Sequence, residues 1–201
     1  MTPPLSAADA RKIAAAFARI LGAAPVASAL VRIAPDGGGQ AKAIVAPFIE
    51  ASAKAGCAIL VEDPRLAARV GADGAHVPGA GEALDEALSS LKPERIVGAG
   101  ALRTRDEAMT AGEKGADYVM FGEPVGAAPP VAFEALIERV SWWAQIFETP
   151  CVAYARSLDD ADALAQAGAD FVAVDGAVWD AASPAEAAER IGRVIAAGAH
   201  A

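Results

Sequence analysis

The chain has 201 residues, enough to bury a full core and close to the lower size limit of a (β/α)₈ barrel. A formal charge of -9 with only 2 histidines gives no surface suited to nucleic-acid phosphate, although one cationic pocket could still hold a small phosphate ester. Hydrophobic residues reach 54%, but alanine inflates that total, and acids or arginines interrupt every apolar run before about 18 residues, so no membrane span and a soluble protein are expected.

At the start, Arg11 and Lys12 precede an alanine-rich stretch ending Val26-Ala27-Ser28-Ala29, as in a secretion signal. Arg19 breaks its apolar region and Asp9 does not suit a basic flank. An amphipathic helix fits better, with Ser6 as N-cap, Asp9 completing an S-x-x-[DE] box, and Ile13, Phe17, Ile20 and Leu21 as the buried stripe. Cytoplasm is then the expected compartment.

Seven strands follow in order: Ala29–Ile33, Ala58–Val61, Ala75–Val77, Arg95–Gly98, Tyr118–Phe121, Val152–Tyr154 and Phe171–Val174. Helical patterns alternate with them at 41–55, 64–70, 82–91, 104–114, 132–148, 158–167 and 184–197. Alternation of this kind predicts a parallel sheet, and no linker divides the chain, so residues 1–201 are read as one domain. Three turns repeat as Gly71-Ala72-Asp73, Gly115-Ala116-Asp117 and Gly168-Ala169-Asp170. In each, glycine ends a helix in a left-handed conformation, alanine packs closely and the acid opens a buried strand. Cys57 and Cys151 begin apolar runs with no second ligand at metal spacing, and read as buried strand residues.

Seven strands leave an eight-stranded barrel one short, because Met1-Thr2-Pro3-Pro4 leads directly into the first helix. The sheet stays open, another chain or segment covers the gap, or the translated start lies upstream of Met1 and the first strand is missing; the last is the expectation favoured.

The order and spacing of Ala55 through Asp63, Val70 through Val77, Val97-Gly98, Gly115 through Gly122 and Gly168 through Val174 resemble thiamine phosphate synthase and its thiazole tautomerase relatives. The resemblance covers roughly residues 25 to 195. It implies a TIM (β/α)₈-type barrel that joins a pyrimidine diphosphate to a thiazole phosphate and releases pyrophosphate with Mg²⁺; on the alternative favoured from the strand count, the first strand of that barrel is missing here.

Several family positions differ here. Where the family has Gln-x-Arg-x-Lys, this chain has Leu30, Arg32 and Ala34; its Asn-Asp pair appears as Glu62-Asp63, either of which could take the metal-binding place. Pro78 through Gly81 stand where a second metal-binding acid is usual, and Gly100 replaces a serine, with no histidine nearby for tautomerase chemistry. The loop Glu123–Pro130 has no lysine or threonine for phosphate, Ala155-Arg156 replaces a Gly-Gly pair, and Gly176 beside Asp175 replaces a serine. Single electrostatic contacts of the missing type are worth about 3–4 kcal/mol, so ordinary synthase activity is not expected.

The candidate ligand site is therefore Arg32, Arg156, Asp175 and Gly176 for phosphate, with Glu62 and Asp63 for a divalent metal; no catalytic residue is assigned. Arg32 inside an apolar strand needs either a ligand phosphate or an ion pair with Glu62 or Asp63. Asp63 before Pro64 suits helix capping as well as metal. His76 matches a hydrogen-bonded core histidine, and the charges at Arg156 and Asp175 either remodel the pocket or pair with each other. Arg103 and Arg105 read as a solvated helix face. Adjacent Trp142 and Trp143 cannot both face inward on a helix, so one is expected in the core and one on a partner subunit, giving a homodimer. Two functions fit: a divergent barrel binding a phosphorylated small molecule, or a non-enzymatic paralogue with a regulatory or assembly role whose pocket is filled by side chains.

Overall fold

The computed structural model describes residues 1–124 and 131–198. Its elements run α1 (Ala7–Ala23), β1 (Ser28–Leu30), α2 (Ala41–Ser52), β2 (Ala58–Val61), α3 (Pro64–Val70), β3 (Gly74–Pro78), α4 (Glu82–Leu91), β4 (Ile96–Gly100), α5 (Arg105–Glu113), β5 (Tyr118–Phe121), α6 (Phe133–Ile146), β6 (Cys151–Tyr154), α7 (Leu158–Gln166), β7 (Phe171–Ala173), α8 (Gly176–Trp179) and α9 (Pro184–Gly198). The seven strands form one parallel sheet in sequential order. Each helix that follows a strand returns the chain to the same end of the sheet, which is the crossover that parallel pairing demands.

Strand alternation divides the apolar residues into two sets. Val31, Ile59, Val61, Ala75, Val77, Val97, Ala99, Val119, Phe121 and Ala153 are buried with the helices in one continuous core. Leu30, Leu60, His76, Met120 and Val152 instead line the concave side of the curled sheet, an open cavity of about 750 Å³.

The three Gly-Ala-Asp turns carry the expected left-handed glycines, with φ of 78° at Gly71 and 95° at Gly115 and Gly168. Their acids also tie neighbouring strands together. Asp73 Oδ2 accepts the Ile59 N–H at 2.7 Å while the Asp73 N–H donates to the Ile59 carbonyl at 2.8 Å. Asp117 repeats this two-way bond with Val97 at 2.7 and 2.8 Å, and Asp170 Oδ2 accepts the Cys151 N–H at 2.8 Å. These carboxylates supply acceptors for the Ile59, Val97 and Cys151 N–H groups near the starts of β2, β4 and β6.

The first five residues lie between the edges of β1 and β7. The Thr2 and Leu5 N–H groups donate to Leu30 and Arg32 carbonyls at 3.0 and 2.9 Å, and the Ala34 N–H donates to the Leu5 carbonyl at 3.0 Å. On the other side the Met1 amine donates to the Val174 carbonyl at 2.6 Å. Pro3 and Pro4 have no N–H, so the segment forms one parallel bridge, Leu5 to Ile33, rather than a full strand. Of the three sequence alternatives for the gap, cover by a segment is thus what the described residues display at its carboxyl end. Below the segment, the concave cavity is also lined by Phe17 and Ile20 of α1 and Ile191 and Ile195 of α9.

Among the described residues no helix is long and apolar enough to cross a membrane. Ser6 caps α1 as expected, with its Oγ 3.4 Å from the Asp9 N–H and 2.7 Å from Asp9 Oδ2. Both cysteines are free and buried, and burial pushes both thiols up to about 11, so neither is an activated nucleophile.

Candidate functional site at the carboxyl ends of the strands

The same alternation that turns Leu30, Leu60, Val152 and Ala173 into the cavity puts Arg32, Glu62, Tyr154 and Asp175 on the same side one step further on, at the carboxyl-end mouth of the curled sheet and beyond the residues that line that cavity. Arg32 Nε lies 3.7 Å from Glu62 Oε1, with the arginine side chain 22% exposed and the glutamate 52% exposed. The Arg32 N–H is held by Thr2 Oγ1 at 2.9 Å, so the N-terminal segment fixes the backbone beneath the guanidinium.

Asp175 accepts at Oδ1 from both the Tyr154 hydroxyl and the Gly176 N–H, each at 2.5 Å. Burial, then the Asp175 bond, raises the Tyr154 phenol well above its ordinary value, so it acts as a proton donor and not as a phenolate. Gly176 is therefore at the mouth, with its amide engaged by its own neighbour.

Arg156 lies apart. Its Nε and N–H both meet Asp160 Oδ2, at 2.9 and 3.1 Å, and its guanidinium lies 5.5 Å from the Phe133 ring centroid. It pairs with α7 and not with Asp175. Asp63 caps α3, its Oδ1 accepting from Arg65 and Leu66 at 2.8 and 3.3 Å. Among the described residues no third His, Cys, Asp or Glu joins Glu62 and Asp63 in a metal cluster. Magnesium sites commonly use only one or two carboxylates and complete the shell with substrate phosphate and water; the half-exposed Glu62 carboxylate is compatible with that pattern.

The interior just below the mouth is polar. Beyond Ile96, β4 offers only glycine on its inward side, at Gly98 and Gly100. A Cβ on Gly98 would lie 1.9 Å from the Tyr118 ring, and one on Gly100 would lie 2.4 Å from His76 Nε2. The rings from β3 and β5 therefore meet across β4, stacked at 5.6 Å with His76 Nδ1 2.8 Å from the Tyr118 hydroxyl. Burial pushes the imidazole down to about 4 and the phenol up, so both are neutral near pH 7. The expected hydrogen-bonded role of His76 has this geometry, and the serine-to-glycine change at Gly100 has a steric reason: the space is taken.

Glu123 joins the site without a signal in the sequence pattern. Alternation from Phe121 would turn it outward, but Gly122 at φ 79° reverses the chain, and Glu123 Oε1 reaches the Ala101 N–H at 2.5 Å. Burial raises the carboxyl above its ordinary range, against opposing effects of the Ala101 bond and the Arg32 charge. The rest of its loop, residues 125–130, was named from sequence for its missing phosphate donors and lies outside the described residues.

A parallel α/β sheet curled like a TIM barrel, with its charged side chains gathered where the strands end, defines a class of ligand-binding and catalytic barrels. A family profile described as Thiamine monophosphate synthase matches residues 6–178. The thiamine-phosphate synthase of Rhodospirillum centenum is 40% identical over 202 residues, covering 97% of this chain and 95% of that one. That of Hyphomonas neptunium is 35% identical over 190 residues, covering 90% and 84%. Among solved structures, a thiamine phosphate pyrophosphorylase from Pyrococcus furiosus superposes with a TM-score of 0.76 at 21% identity, over 92% of this chain and 90% of that one. The chain belongs to the thiamine monophosphate synthase family.

Proposed function

We propose that this chain binds a phosphorylated small molecule of thiamine biosynthesis in the cytoplasm, at the carboxyl ends of its strands, with Arg32 as the principal phosphate contact. The observation that carries it is a guanidinium only 22% exposed whose one carboxylate partner among the described residues, Glu62, sits at 3.7 Å, too far for a close hydrogen-bonded pair. A phosphate oxygen placed beside Arg32 would accept from its guanidinium, while the Tyr154 hydroxyl stays committed to Asp175. Mg²⁺ belongs to the same proposal: Glu62 and Asp63 are the carboxylates that would hold it once phosphate supplies the remaining oxygens, and it would neutralise charge on a departing pyrophosphate.

Thermal melts test this. Thiamine precursors or pyrophosphate, with Mg²⁺, should raise the wild-type melting temperature by about 5 °C near saturation, and Arg32→Ala should remove the shift. No shift across the precursors and a set of sugar phosphates, with or without Mg²⁺, sinks the proposal.

A second reading, a non-enzymatic paralogue with a regulatory or assembly role, draws on a different observation. Asp63, Arg156 and Asp175 are each already satisfied by neighbours within the chain. An assay for thiamine phosphate formation separates the two: product with the Arg32-dependent shift supports an enzyme, and the shift without product supports the paralogue. A homodimer through the α6 face also remains part of the proposal.

A further inference from the structure

The mouth has two sides of unlike charge. On the β1 side Arg32 offers a cation. On the β4–β5 side the Ala101 N–H is a backbone donor, and it is already taken by Glu123 Oε1. Ala101 is the one non-glycine residue with positive φ among the described residues, at 53°. Such a conformation costs about 1 kcal/mol or more and persists only where the surroundings hold it. The same Glu123 oxygen would lie 3.2 Å from a Cβ on Gly100, opposite His76 Nε2, so the carboxylate sits directly over the bare end of β4.

We propose that Glu123 is a specificity-determining residue: it fills a backbone donor an anionic group could use on the β4–β5 side, so that charge beyond the phosphate beside Arg32 is held more weakly and an uncharged, hydrogen-bond-donating part is favoured beside β4. The inference rests on the mouth being the phosphate site. A carboxylate fixed there repels a second negative charge and attracts amino or hydroxyl donors. The other charged or titratable groups around the mouth are Arg32, Glu62, His76, Tyr154, Arg156, Asp175 and the Met1 amine, which burial lowers to about 6 and which is common to wild type and variants, with Arg139 behind it holding the Leu102 carbonyl at 3.0 Å. Arg32 acts on Glu123 in the sense opposite to burial.

Calorimetric titration with inorganic phosphate and with inorganic pyrophosphate, at pH 8 and pH 5.5, tests it on wild type, Glu123→Gln and Arg32→Ala. Glutamine keeps an acceptor for Ala101 and removes the charge. Glu123→Gln should tighten pyrophosphate about tenfold at pH 8 while changing phosphate little, and should flatten the weakening of pyrophosphate binding with rising pH relative to wild type. Arg32→Ala should lose both anions. If Arg32→Ala loses both while Glu123→Gln leaves the pyrophosphate-to-phosphate ratio unchanged, the role of Glu123 is overturned and the phosphate site stands. Binding of neither anion by wild type or by Glu123→Gln overturns both.

Discussion

His76 shows how a polar residue becomes tolerable inside a barrel. Two glycines on β4 clear the space, Tyr118 supplies a hydrogen-bond partner, and burial keeps the imidazole neutral. A histidine depressed from about 6.5 in the unfolded chain to about 4 in the folded one binds fewer protons when folded. Its contribution to stability is present above about pH 6.5 and is lost as pH falls toward 4, on the order of 3 kcal/mol in all. Between those values the melting temperature of wild type should therefore fall more steeply than that of His76→Asn, in which nothing titrates at this position. Parallel slopes would mean that His76 is not buried neutral.

At the scale of elements, the Gly-Ala-Asp turn works as a repeated fastener. Its glycine stops the helix, and its acid accepts the first free N–H of the strand before. Asp73→Ala would leave the Ile59 N–H without its side-chain acceptor and should cost about 1–3 kcal/mol in urea unfolding with an unchanged denaturant slope. Asp73→Asn keeps a carbonyl acceptor and should cost less. Equal losses from the two variants would show that charge, not acceptance, is what matters.

At the scale of the whole molecule, the question is what covers the remaining apolar surface. Trp143 is fully buried with its Nε1–H bonded to the Thr149 carbonyl at 2.7 Å, whereas Trp142 is covered only in part, by Phe147 and by Arg105 4.6 Å above its ring. Ile146 beside them is 62% exposed. Arg105, read from sequence as a solvated face, thus has an aromatic partner. A homodimer seated on this face should sediment as a dimer at micromolar concentration, and Ile146→Lys should shift it to monomer. A wild-type protein that sediments only as monomer would rule the interface out.

The sequence by itself determined the alternation of strands and helices, the three turns, the N-cap at Ser6 and the family, because periodicity and turn chemistry are local and glycine, proline and aspartate act on their own backbone. It also brought Arg32, Glu62 and Asp175 to one end, since period-2 alternation in parallel strands fixes both face and end. Only the tertiary structure decided which charges meet. Arg156 went to Asp160, Asp63 to the α3 cap and Asp175 to Tyr154, choices made by distances between segments far apart in the chain or by local caps that outcompete them. Glu123 entered the site because one left-handed glycine reversed the alternation, and the Met1–Leu5 segment found the gap between β1 and β7 because both edges had free backbone groups to share.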